Sequence, residues 1–192
     1  MSIIKEPAGK ARATMPAAAP AAAAPAPAAR RTRFADYVWA VTRISLGWVF
    51  LWAFLDKTFG LGFATPAENA WLEGGSPTTG YLANAPTGPF QSFYNGLAGA
   101  AWADWLFMIG LLAVGVALIL GIGVRIAAAA GVLMLVLMWT AVLPPANNPF
   151  MDDHLIYAMV LIGLAAVNAG AVIGLGKWWA DTALVRRFPI LR

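Results

Sequence analysis

The sequence predicts an all-α fold, a polytopic membrane protein built as a four-transmembrane-helix bundle whose long outer loop carries short interfacial helices. Three observations lead there. The 192 residues are 60% hydrophobic and 11% charged, with a mean hydropathy of +0.70, where a soluble domain carries about 25% charge. Most of the excess lies in four apolar stretches, 37–55, 105–124, 126–143 and 155–175. Each approaches the roughly 20 helical residues that cross a hydrocarbon core of about 30 Å. The charges, finally, are sorted by side. Lys5, Lys10, Arg12, Arg30, Arg31 and Arg33 precede the first stretch, Arg125 separates the second from the third, and Lys177, Arg186, Arg187 and Arg192 follow the fourth. The opposite side carries Lys57 against Asp56, Glu68, Glu73, Asp104, Asp152 and Asp153. This is the positive-inside pattern, and it predicts that both termini are cytoplasmic. The net charge of +4 thus reports topology, and no nucleic-acid partner is expected.

Taken in order, residues 1–33 come first. "MPAAAPAAAAPAPAAR" lacks the compact leucine-rich core of a signal peptide, and its prolines break helix, so a disordered Ala/Pro-rich cytoplasmic tail is expected. The membrane domain spans 34–176, and 177–192 form a basic cytoplasmic tail. The first span is followed by an outer loop, 56–104, too long to be structureless. Phe90–Trp102 is expected to fold as a short interfacial helix, and Ala67–Leu72 is a weaker candidate for another. The turn "GIGVRIAA" reverses the chain between spans two and three. The prolines of "PPANNPFMDD" end span three, and Asp152 or Asp153 can cap span four. Trp102, Trp105 and Trp139 mark the outer interface, and Trp39, Trp178 and Trp179 the cytoplasmic one.

Candidate site residues stand out where polarity meets these spans. Arg43 lies six residues inside the first span, at a depth matched by Asn168 near the end of the fourth. The two could hydrogen-bond across helices, Arg43 could snorkel to the headgroups, or both could hold a ligand carbonyl. Trp52 lies deep enough to pack the bundle or line a cavity. At the outer end, Lys57 is the one basic residue, able to neutralise Asp153 or to attract an anion. His154, the chain's single histidine, titrates near neutrality and could relay a proton, or simply flank a helix cap. We expect Asp153 and His154 to lie near Lys57, with Asp152 a solvent-facing cap. Cysteine is absent, so there is no disulfide, thiolate nucleophile or cluster ligand. One histidine cannot supply two-histidine haem ligation. No intrinsic haem, iron–sulfur cluster or metal site is expected.

The segments "RISLGWVFLWAFLDKTFGLGF", "GGSPTTGYL", "ADWLFMIGLLAVGVALILGIGVRIAA" and "NPFMDDHLIYAMVLI" resemble the DoxX/DoxD family of four-helix membrane proteins over roughly 34–176. The closer similarity is to the DoxD-like branch, membrane subunits of thiosulfate:quinone oxidoreductase. Arg43, the pair Asp56–Lys57 and the group Asp152–His154 match its pattern. The resemblance implies a bacterial or archaeal cytoplasmic membrane, electron transfer to quinone, and additional protein subunits. On that expectation His154, Lys57 and Asp153 are the catalytic candidates, and Arg43, Asn168 and Trp52 the quinone or lipid contacts. The alternatives are a non-catalytic accessory subunit of a larger membrane complex and, last, a transporter or sensor of a small lipidic molecule.

Overall fold

The computed structural model describes residues 33–191; the expected N-terminal tail therefore lies outside the described residues. Among these the structure is helical, without strands. Four helices carry the architecture: α1 (Arg33–Phe59), α4 (Ala101–Leu120), α5 (Val124–Ala141) and α6 (Asp153–Ala166). The short helices are α2 (Thr79–Asn84) and α3 (Gln91–Asn95) in the loop after α1, then α7 (Gly176–Ala180) and α8 (Ala183–Arg187) after α6. α1 packs on α4, α4 on α5 and α5 on α6, with a looser contact closing α6 onto α1.

α1, α4 and α5 are each long and apolar enough to cross a membrane. Across the four helices many large side chains face outward, Leu106, Ile109, Leu133 and Ile162 among them, while small residues such as Ala127, Ala128 and Ala158 join Val114, Leu118 and Leu161 in the interior. That inversion suits a protein whose solvent is hydrocarbon, where helices associate through close packing of small residues. The α1–α4 seam shows it. A Cβ at Gly115 would lie 2.7 Å from the Leu51 backbone nitrogen, and one at Gly47 2.9 Å from Leu118 Cβ. The α4–α5 reversal takes three residues because Gly121 and Gly123 both sit in the left-handed region, at φ 75° and 57°, where Cβ is costly.

The fourth apolar stretch, expected as one span over 155–175, is not a single helix. α6 has 14 residues, about 21 Å at helical rise and short of a ~30 Å core. Asn168 enters the left-handed region at φ 54° and ends it; a single 3₁₀ turn, Ala169–Ala171, follows. Residues 172–175 then fold against the α4–α5 turn, where Leu175 N–H donates to Leu120 O at 2.8 Å. Uniform apolarity hid the break. What ends the helix is polar pinning elsewhere, described below.

The loop after α1 is also built differently from the prediction. Phe90–Trp102 is divided: a 3₁₀ turn at Gly88–Phe90, then α3, while Trp102 already belongs to α4. Ala67–Leu72 falls on two 3₁₀ turns, Ala67–Asn69 and Trp71–Glu73. The basic segment after α6, described through residue 191, carries local structure of its own. Thr182 caps α8 through Val185 N–H, Trp179 Nε1–H donates to Leu191 O at 2.6 Å, and Arg125 reaches Pro189 O at 3.5 Å.

Candidate functional site

Buried polar groups organise both ends of the bundle. At the end formed by the α4–α5 turn, Arg43 is 0% exposed, so it does not snorkel. Its Nη1 donates to Leu118 O and, at 3.1 Å, to Ile119 O; its Nη2 donates to Ile173 O and, at 3.3 Å, to Val172 O. Nε is buried and has no hydrogen-bond partner among the described residues. A helix leaves its last carbonyls unpaired and carries partial negative charge there. The guanidinium fork therefore closes the end of α4 and ties the 172–173 segment to it. That clamp requires the chain to leave the helix after Ala166. Ile173, β-branched yet at φ 49°, occupies a conformation that costs about 1–3 kcal/mol. Asn168 is not Arg43's partner; it lines a separate cavity with Lys177 and Trp179.

At the opposite end two buried carboxylates staple the long loop. Asp56 accepts from the backbone N–H groups of Phe63 and Ala64 at 3.2 and 3.1 Å. Asp104 accepts from Ser76 Oγ at 2.8 Å, Thr78 Oγ1 at 2.6 Å and Thr78 N–H at 3.0 Å, which gives "GGSPTTG" its role. Two phenols then cap α5: Tyr94 donates to Leu137 O at 2.9 Å and Tyr81 to Met138 O at 3.2 Å.

The "DDH" group begins α6. Asp152 is the N-cap, accepting from Leu155 N–H at 3.2 Å, and its other oxygen meets His154 Nδ1 at 2.7 Å. Asp153 Oδ1 is 3.5 Å from the same nitrogen. Since an ionised carboxylate only accepts, Nδ1 carries the proton and Nε2 is left to accept or, in the imidazolium, to donate. The two acids exchange their expected places: the Asp152 side chain is 12% exposed and Asp153 71%. The cap needs the inward one. The three ligating atoms lie within 4.8 Å of one another, and the cap and imidazole bonds account for that closeness. Burial first, then the fields of Asp152, Tyr94 and Asp153, pushes the Tyr81 phenol up to about 12, which holds it as a donor beside this group.

Lys57 stays apart. It makes no ion pair with Asp153 among the described residues, and Asp56 is the acid whose field reaches it. Trp52 packs between Trp48 and Phe63, ring centroids 5.7 and 5.1 Å away. Of the six candidates, His154 and Asp153 come together, joined by Asp152.

Tyr157 is a residue that the sequence reading missed. One turn after His154 and on the same face of α6, it lines a groove of about 310 Å³ with Val41, Thr42, Ser45, Leu46, Val49 and Val160. The groove lies between α1 and α6, where Val41 and Val49 are exposed. Thr42 Oγ1 is engaged with Val38 O at 2.9 Å. A lone tyrosine at i+3 from the histidine was the available signal.

Comparison with known proteins adds one finding. No curated protein and no solved structure shows a significant match. The DoxX family model matches residues 38–143, from the first turns of α1 through the end of α5, and so takes in Arg43, Asp56, Lys57 and Asp104 but not the Asp152–His154 group. With more than half of the chain matched, including the α1–α4 seam and both carboxylate staples, this integral membrane protein belongs to the DoxX family.

Proposed function

We propose that the chain is the quinone-handling membrane subunit of an oxidoreductase in a bacterial or archaeal cytoplasmic membrane. The observation that carries this is the groove between α1 and α6, lined by Tyr157, which stands one helical turn after His154 on α6. A quinone diffuses in the bilayer and would enter sideways, its ring against Val41, Leu46 and Val49 and a carbonyl oxygen accepting from Tyr157. Reduction to the hydroquinone takes two electrons and two protons, one proton on each carbonyl oxygen. His154 as imidazolium would donate from Nε2 and be recharged from the aqueous side, with Asp152 fixing its orientation. The chain has no thiol or paired histidines to hold an electron carrier, so the electrons would come from a donor on a partner subunit. The DoxD-like similarity suggests thiosulfate, two of which join through an S–S bond to tetrathionate and release the two electrons. In this reading α6, continued by 167–175, completes a fourth crossing, and the basic α4–α5 end faces the cytoplasm.

A photoreactive quinone analogue in nanodiscs tests the reading without needing the partner. Labelling is expected on Ser45–Val49 and Tyr157, competed by unlabelled quinone and reduced in Tyr157→Phe. Labels scattered over every lipid-facing helix, indifferent to competitor, would reject it. A second reading, a non-catalytic accessory subunit, has its own support: Arg43, Asp56 and Asp104, the buried charged groups among the described residues, are all engaged by backbone or loop hydrogen bonds. Quinone turnover of the assembled complex that is unaffected by His154→Ala and Tyr157→Phe would favour it.

A further inference from the structure

A second cavity, about 330 Å³, lies at the α4–α5 turn, within the roughly 300–1,000 Å³ of small-molecule sites. Its floor is bare backbone, since Gly121, Gly170 and Gly176 approach so closely that a Cβ at Gly170 would lie 2.5 Å from Gly121 O. Trp179 forms a wall and is held rigid by its bond to Leu191 O. Lys177, Asp181 and Asn168 supply the polar lining.

The two charges are the informative part. Lys177 on α7 and Asp181, the C-cap of that helix, stand at i and i+4, a spacing that puts roughly 5–6 Å between Cβ atoms on a helix face. They nevertheless form no ion pair, and the Asn168 amide has no hydrogen-bond partner among the described residues. An anion alone would meet Asp181, and a cation alone Lys177. A ligand carrying both charges at a similar spacing satisfies both. In the same stretch of chain as the lining residues Ala171, Gly176 and Lys177, the side chains of Ile173, Leu175 and Trp178 are exposed, the mixture of aromatic and aliphatic surface that sits where acyl chains meet headgroups.

We propose that this cavity binds the headgroup of a zwitterionic aminophospholipid, with its phosphate on Lys177 and Asn168 and its primary ammonium on Asp181. The phosphate–ammonium dipole lies across the cavity, and the acyl chains run along Ile173 and Leu175 into the bilayer. A quaternary ammonium has no N–H to donate to Asp181, and a glycerol headgroup has no cation.

The test is lipid retention by the full-length purified chain, delipidated and returned to nanodiscs holding equal phosphatidylethanolamine, phosphatidylcholine and phosphatidylglycerol, then read by native mass spectrometry. Phosphatidylethanolamine should be retained about tenfold over the other two, the effect of one charge-assisted contact. Asp181→Asn should abolish its preference over phosphatidylglycerol, and Lys177→Gln should lower retention of all three. Both side chains are exposed, and a thermal melt confirms that each variant is folded. Soluble glycerophosphoethanolamine should not bind measurably; binding as tight as the lipid's would overturn the lipid assignment. Equal retention of the three lipids, or a preference unchanged in Asp181→Asn, would overturn the site itself.

Discussion

Replacing Arg43 by glutamine decides whether the buried guanidinium is a clamp or a ligand contact. Arg43 donates to four carbonyls, two ending α4 and two in the 172–173 segment. Hydrogen bonds from a charged donor contribute about 1.5–3 kcal/mol each, but desolvating the guanidinium takes back several. Glutamine reaches one carbonyl pair at most. At least two acceptors lose their donor at about 1–3 kcal/mol each, and the interaction with the α4 dipole, about 0.3–1 kcal/mol, goes with them. The net expectation is about 3–4 kcal/mol, or roughly a 6–16 °C fall in melting midpoint for a chain of this length. Lysine should not restore it, because a point charge cannot fork between two separate segments. Tryptophan fluorescence melts in detergent provide the assay, with quinone photolabelling per folded molecule as the second readout. An unshifted midpoint together with lost labelling would refute the clamp and make Arg43 a ligand contact.

The loop staple predicts a graded pair: Asp104→Asn should cost about 1–2 kcal/mol, and Asp104→Ala about 3 kcal/mol because Thr78 N–H is left buried without an acceptor. Hydrogen exchange across residues 74–82 would localise the loss. At the α1–α4 seam, Gly115→Val should destabilise by about 1–3 kcal/mol or more through overpacking against Leu51. Gly80→Ala, where a Cβ meets open space within a helix, should be neutral or stabilising by up to about 1 kcal/mol; equal melting midpoints for the two variants would contradict the close seam. Absorbance at 295 nm should show a phenol titrating near pH 12 that vanishes in Tyr81→Phe. Because the folded form holds this proton more tightly than the unfolded form, whose pKa is about 10, Tyr81's contribution to stability is full below pH 10 and is lost as pH rises through 12. A Tyr81 titrating with the exposed phenols would contradict its burial beside Asp152.

The sequence by itself determined the compartment and the three long helices. Each α1, α4 or α5 boundary lies within a few residues of its apolar stretch because transfer to hydrocarbon is a property of composition, summed over a window. It narrowed the cap of α6 to Asp152 or Asp153, since an N-cap depends on local order; the structure selects Asp152. What composition could not see was direction. Residues 167–175 are as apolar as the helix before them, yet Arg43, more than a hundred positions earlier, draws their carbonyls out of helical register. The same limit hid the exchange between Asp152 and Asp153: the names of the two acids were legible, but which turned inward depended on the imidazole between them and on the Tyr81 loop beside them. Lys57 and Asp153 are placed at the same bundle end by the sequence reading, yet make no ion pair among the described residues. Side-chain partnership is a three-dimensional property. In a bundle with so few polar groups, each partner chosen at long range excludes another, and only the tertiary structure makes that choice.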